Sequence, residues 1–185
     1  NHRRPTLMIL SLLTFPLNLM RSVKRRIVRA VFLRNISGGV NLKVSTMSKI
    51  VRSSGGRISI GENCEINGTL IVQDRGTIQI GNYTTIRYDS VVGGVDSIKI
   101  GDCVIISNNI HIYDNNNHPT SPDKREQMCK SGFYGPLWQW CEAASKPVVI
   151  EDNVWIGEYS AILKGVTVGK GSIVASHSVV THDVP

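Results

Sequence analysis

The sequence predicts an all-β fold: a stack of triangular coils whose short strands bury aliphatic side chains at fixed intervals. Three observations carry this. The tetrads Ile60-Gly61-Glu62-Asn63, Ile80-Gly81-Asn82-Tyr83 and Ile100-Gly101-Asp102-Cys103 recur every 20 residues. Within each unit aliphatics stand six apart: Ile60, Ile66, Val72; then Ile80, Ile86, Val92; then Ile100, Ile106, Ile112. After an interruption the spacing is strictly six through Ile150, Ile156, Ile162, Val168, Val174 and Val180, two coils of 18. Self-similarity at a fixed period is the signature of a repeat architecture.

Each element follows from that pattern. The residue four after each hexad start is small or aliphatic, as at Cys64, Leu70, Thr84, Ser90, Val104, Ile110, Val154, Ser160 and Val166. Two inward positions per six residues, with Gly or polar residues at many corners, describe short strands bent around an aliphatic interior. One coil cannot bury its own corner, so coils must stack, each satisfying the backbone groups of the next. In the 20-residue units the two extra residues sit at one corner. Val40, twenty before Ile60, suggests one earlier, degenerate coil, which gives about five coils in all. The domain reading is a basic, helical segment over 1–39 and coils over 40–185, with an inserted loop over 113–147.

Hydrophobic residues make up 41% of the 185-residue chain, enough to build a core and to exclude global disorder. The four cysteines form no C-x-x-C pair and stand near no His at zinc-finger spacing, so neither a disulfide framework nor structural zinc is legible. They read as reduced thiols in a cytoplasmic compartment. The net charge of +7 is unevenly distributed: residues 1–61 hold twelve Lys/Arg and no Asp or Glu, leaving 9 − 14 = −5 for residues 62–185.

The N-terminal segment therefore carries the basic character. Leu7–Met20 is apolar but broken by Pro16, and it is shorter than the roughly 20 residues that a spanning helix needs. Arg21–Arg34 places Val23, Ile27, Ala30, Val31 and Leu33 among six cations, a basic amphipathic helix pattern. Two uses fit it: capping the coils with its apolar face, or peripheral contact of residues 1–35 with an anionic membrane surface. No aromatic interleaving or base-reading motif accompanies the charge, which argues against nucleic acid.

The Ile-Gly hexads, the run Val154–Gly169 and the ending Ser178–Pro185 resemble the hexapeptide-repeat acyltransferases, most closely the maltose and galactoside O-acetyltransferase branch. The resemblance covers roughly Ile58 to Pro185. It implies a left-handed parallel β-helix, a handedness that runs against the general crossover rule. It also implies acetyl-CoA as co-substrate, and a homotrimer with each active site shared between neighbouring subunits. The expected reaction is acetyl transfer to a hydroxyl of a sugar, in a surface polysaccharide or its precursor, at the cytoplasmic face of the membrane. An amine acceptor, such as an amino sugar or antibiotic, and a non-catalytic scaffold are the alternatives.

The 35-residue interruption from Tyr113 to Pro147 is too long for a passive connection between such coils. Its segment His111–Arg125 looks like the family's stretch bearing a catalytic His before Pro, and His118 takes that place. An imidazole meets the need for a base near neutral pH without a large shift; the bland alternative is a solvated loop His. Asp114 is read as a group that orients His118. His111, beside inward Ile112, is placed on the coil surface near the site.

For the coenzyme, the resemblance carries over to Trp155, Glu158, Ser176, Thr181 and His182. Packing on the coil face for Trp155, and corner hydrogen bonding for Ser176 and Thr181, are the structural alternatives. His182 replaces the family's Lys, a weaker phosphate partner when neutral. On the acceptor side Arg87 stands where the galactoside enzymes have an Asn, and Tyr88 and Asp89 could hydrogen-bond sugar hydroxyls. The aromatic stretch Phe133–Trp140 could stack on sugar rings, close a groove or anchor the loop. The zinc-hydratase pattern on this fold needs a close His pair that is missing here, so no metal is expected.

Overall fold

The computed structural model describes the backbone of residues 6–133 and 135–185, and the side chains of 18–133 and 135–185. Eighteen short strands form three parallel sheets of six strands each, the three walls of a triangular coil. The first wall holds Ser37–Gly38, Arg57–Ile60, Thr77–Ile80, Ser97–Ile100, Val148–Ile150 and Thr167–Val168. The second holds Lys43–Val44, Glu65–Ile66, Thr85–Ile86, Ile105–Ile106, Trp155–Ile156 and Ile173–Val174. The third holds Lys49–Arg52, Thr69–Val72, Val91–Gly94, His111–Tyr113, Ala161–Ile162 and Val179–Val180.

The register is the one that the hexads demand. Ile58 pairs with Ile78, which pairs with Ile98, which pairs with Val148, so like residues stack through the axis. Ile66, Ile86, Ile106 and Ile156 do the same on the second wall, and each is fully buried. Small polar residues at inward corner positions are satisfied in place. Thr84 Oγ1 donates to the Gly101 carbonyl at 2.9 Å and accepts from the Val104 N–H at 3.1 Å. Ser90 Oγ repeats this with the Ser107 carbonyl and the Ile110 N–H. A buried hydroxyl so paired substitutes for an aliphatic group without an orphaned donor.

The corner between the first and second walls turns through left-handed residues at Asn41, Asn63, Tyr83, Cys103 and Asn153. A carboxylate or amide ladder runs along it: Asn82 Oδ1 accepts the Glu62 N–H, Asp102 Oδ1 the Asn82 N–H, and Asp152 Oδ1 the Asp102 N–H.

Two features differ from the sequence reading. There are six coils, because Ser37–Arg52 forms a complete first turn whose pairing begins at Ser37↔Ser59, inside the segment assigned to 1–39. Val40 is not its inward residue: it is 61% exposed, while Leu42 and Val44 are buried. The cause is two extra residues at the first coil's second corner. Val44 pairs 22 residues ahead with Ile66, whereas Ile50 pairs 20 ahead with Leu70.

Helix α1 (Thr6–Asn35) precedes the coils. The apolar run Leu7–Met20 falls within it, although its side chains up to residue 17, and residues 1–5 of the proposed membrane segment, lie outside the described residues. Phe32 is buried, and Val28 and Ile36 pack beside it on the coil core, so the end of α1 caps the first coil. Leu19, Met20, Val23, Ile27 and Val31 are exposed on another face. At 100° per residue that stripe is centred well away from Val28 and Phe32, so the helix carries two apolar faces, and the coils cover one. Among the described residues, no helix is long and apolar enough to cross a membrane.

Candidate active site

The long loop leaves the third wall after Tyr113 and rejoins the first at Val148, at the third–first corner of the fourth coil. Its neck is closed by backbone bonds from Asn116 N–H to Ala144 O at 3.1 Å and from Lys146 N–H to Asp114 O at 2.8 Å. Helix α2 (Pro122–Lys130) follows, with Pro at its start where the missing N–H is harmless. The loop folds back on the coils. Trp140 meets the Tyr113 ring edge-on at 5.6 Å, and its backbone N–H donates to Gln73 Oε1. Gly93 lies beneath both rings: a Cβ there would stand 2.6 Å from Tyr113 and 2.9 Å from Trp140. Burial pushes the Tyr113 phenol above its ordinary value, leaving it neutral at physiological pH. Of the aromatic stretch, Tyr134 lies outside the described residues.

His118 is exposed just beyond the neck, between left-handed Asn117 and buried Pro119. Asn115 Oδ1 accepts the Asn117 N–H at 2.7 Å, and Asn116 O accepts the His118 N–H at 2.6 Å, which holds the turn. The imidazole meets the ring of Trp138 nearly perpendicularly, with centroids 5.7 Å apart. Trp138 is itself fixed by Nε1 donating to Met128 O at 3.0 Å. The ring is thus presented to solvent with one side defined by an indole.

Asp114 does not orient it. The Asp114 side chain is fully buried, and its oxygens accept the N–H groups of Val95 (3.0 and 3.1 Å) and Asp96 (2.8 Å) and the Asn115 amide (3.0 Å). Among the described residues, no hydrogen bond joins it to His118. The carboxylate turns inward because the preceding coil's third–first corner leaves two N–H groups pointing at it, and burial without them would be costly.

The residues assigned to the coenzyme divide between two corners. Trp155 stands on the outer face of the second wall, with Nε1 donating to Ser107 Oγ at 3.2 Å. Glu158 and Ser176 follow on the second–third corner, where Glu158 Oε1 accepts from Asn108 Nδ2 at 2.6 Å. Ser176 sits directly under Gly157, whose Cβ would be 2.6 Å from the Ser176 nitrogen. Thr181 and His182, joined by an Oγ1 to Nδ1 hydrogen bond of 2.9 Å, lie at the third–first corner of the last coil. Arg87, Tyr88 and Asp89 are exposed on the second–third corner, two coils before Glu158, and His111 is exposed on the third wall beside Ala161. Within one chain, then, Glu158, Ser176 and the Arg87–Asp89 turn share a corner, with Trp155 on the wall leading into it, while Thr181 and His182 lie at the corner from which the loop bearing His118 emerges. Among the described residues, no three His, Cys, Asp or Glu side chains converge as metal ligands.

Sequence reasoning missed four members of this surface: Ser107 and Asn108, which hold Trp155 and Glu158, and the stacked Tyr159–His177 pair, with rings 5.0 Å apart and 9° from parallel. Stacking residue 107 on 157 across the interruption would have exposed the first two.

Comparison with known proteins matches residues 147–182 to the family described as bacterial transferase hexapeptide (six repeats). A galactoside O-acetyltransferase of Lactococcus lactis is 31% identical over 127 residues, 68% of this chain and 55% of that protein. The chain thus spans about half the length of the curated relatives it matches. Among solved structures, a point mutant of AntD, an N-acyltransferase from Bacillus cereus in complex with dTDP and coenzyme A, superposes with TM-score 0.63 at 22% identity, over 85% of this chain and 80% of that one. The polySia-specific acetyltransferase NeuO gives TM-score 0.60 at 23% identity, over 81% and 74%. At those identities the likeness is one of fold. Repeat, register and superposition agree: the chain folds as a left-handed parallel β-helix of stacked hexapeptide repeats.

Proposed function

We propose that this chain transfers an acetyl group from acetyl-CoA to a sugar hydroxyl, in a surface polysaccharide or its precursor, with His118 as general base. The observation that carries the reading is the setting of His118: an exposed imidazole, fixed by its turn and by Trp138, on a long loop with a closed neck. The galactoside O-acetyltransferase likeness supports the acceptor class, and likeness to a hexapeptide-repeat acetyltransferase from Vibrio cholerae complexed with acetyl coenzyme A, 25% identical over 93% of this chain, supports the donor.

In the reaction the His118 imidazole takes the acceptor's hydroxyl proton as that oxygen attacks the thioester carbonyl. The tetrahedral oxyanion is met by a backbone N–H at a coil corner. Its collapse expels the coenzyme A thiolate, which takes the proton from the imidazolium, leaving an acetyl ester and free thiol. General-base help of this kind supplies roughly 10²–10⁴-fold. The separation of His118 from the Trp155–Glu158–Ser176 surface within one chain supports a site shared between subunits of a homotrimer, in which His118 of one subunit faces the coenzyme groove of the next. The exposed basic and apolar face of α1 supports a place at the inner face of a membrane, where a lipid-linked acceptor would be found.

The test is acetyl-CoA titration by calorimetry, together with thiol release, on the parent chain and on His118→Ala. Binding by both, with release by the parent alone, is the expected result. A folded parent that binds no acetyl-CoA refutes the reading. Acceptor screening by mass spectrometry then separates ester from amide products.

A further inference from the structure

Between α1 and the outer face of the second wall runs a cleft of about 570 Å³, within the usual size of ligand pockets. Arg25 and Arg29 line its helix side, Lys43 and Glu65 its coil side, and Asn67 and Tyr88 its end at the second–third corner. The one acid is already engaged, with Glu65 Oε1 accepting from Asn67 Nδ2 at 2.7 Å. Among the described residues, none of the three cations forms an ion pair. A concave surface that gathers three cations, all exposed and free of ion pairs among the described residues, selects an anion, because their fields add within the concavity.

The arrangement specifies the anion further. Arg25 and Arg29 are one helical turn apart, so their guanidinium groups share a face and present two planar forks, each matching the oxygens of a phosphoryl group. Lys43 supplies a point charge from the opposite side. Tyr88, exposed where the cleft opens onto the corner, offers a ring face for a sugar. The same corner carries Glu158 two coils and Ser176 three coils further on, about 10 and 14 Å at the spacing of adjacent strands.

We propose that this cleft binds the diphosphate of a glycosyl diphosphate acceptor, with the attached sugar reaching past Tyr88 along the corner. The assignment of the sugar as acceptor rests on the transferase reading above; the cleft's preference for a diphosphate does not. A nucleotide-linked and a lipid-linked sugar share this chemistry.

The experiment titrates the full chain with UDP-glucose and, separately, with a synthetic farnesyl-diphosphate-linked glucose. At least one of them binds; the tighter of the two identifies the source. Arg25→Gln with Arg29→Gln weakens binding at least about tenfold, as expected from losing two charge-assisted contacts. Lys24→Gln with Arg26→Gln, which removes two cations of α1 outside the cleft, leaves affinity within about twofold. Saturating acetyl-CoA does not displace the probe. No binding of either probe, an equal loss in both double variants, or displacement by acetyl-CoA overturns the proposal. Thiol release from acetyl-CoA on the same preparations separates the two readings: His118-dependent release without diphosphate binding removes only the cleft assignment, whereas diphosphate binding without acetyl-CoA binding removes only the transferase.

Discussion

Replacing Asp114 by Asn separates a structural carboxylate from a catalytic one. The fully buried side chain accepts two backbone N–H groups and one amide. The substitution turns one oxygen into a donor. In its least disruptive orientation the amide nitrogen replaces Oδ1, and the remaining oxygen keeps Val95 and Asp96. The Asn115 amide then loses its acceptor and cannot flip to compensate, because its own oxygen already holds the Asn117 N–H. Two buried donors, the Asn115 amide and the new amide at position 114, are left unpaired; each costs about 1 kcal/mol at the low end of such losses, and loss of charge assistance adds about 1 kcal/mol more. A total near 3 kcal/mol lowers the melting temperature of a chain this size by about 6–12 °C. Hydrogen exchange locates the damage: the Val95 and Asp96 amides and the loop neck lose protection first. Below the lowered melting point, the pH dependence of thiol release keeps its shape, since nothing has been taken from His118. An unchanged melting temperature with a tenfold loss of kcat/KM and a displaced acid limb would refute this account and restore Asp114 as a partner of the imidazole.

Other outcomes follow from the same contacts. Trp138→Leu leaves acetyl-CoA affinity unchanged but lowers the rate of thiol release, because His118 loses the ring that sets its orientation; an unaltered rate means that the turn alone positions it. Phe32→Ala destabilises the first coil by about 3–5 kcal/mol, read as early loss of exchange protection on Lys43–Arg52, and protection equal to the parent's contradicts the capping role. Val23→Glu with Ile27→Glu, both exposed in the structure, abolishes cosedimentation with anionic vesicles and leaves the melting temperature within about 2 °C, a small shift at this chain length; undiminished cosedimentation rejects the membrane face. Burial holds the Cys64 thiol above the ordinary cysteine range, so the folded state keeps a proton that the unfolded chain releases. That contribution to stability is complete below the ordinary value and is lost as pH rises past it. Urea midpoints across that range fall less steeply in Cys64→Ala, and Cys64 labels more slowly than the exposed Cys103, Cys129 and Cys141.

The coils were readable because their physics is periodic. Ile66, Ile86, Ile106 and Ile156 each sit where a fixed interval places them, and parallel stacking leaves no freedom of register once one face is buried. Val40 was misplaced because Ser45 and Ser48 pair with each other across an enlarged corner, and a two-residue change in one corner shifts every assignment before it. Asp114 was misread for a different reason. Four residues of chain suggested a local partner, but its donors lie at Val95 and Asp96, one coil back, where only the stacked geometry brings them near. Trp138 carries no periodic signal at all; its contact with His118 depends on how α2 and the following turn fold back.

From the second coil on, irregularity has been confined to a single edge of the prism. The two extra residues of each 20-residue unit fall at the third–first corner, around Gln73–Gly76 and Val95–Asp96, and the long loop emerges from that same corner one coil later. The other two corners advance by six-residue steps and carry the ladders that index one coil on the next. The molecule therefore has one edge open to growth and two that keep count. Lengthening or exchanging segments along the first leaves stacking intact, which offers a route to new acceptor preferences without rebuilding the scaffold. A single-residue insertion on either of the others would reverse the facing of every side chain up to the next corner.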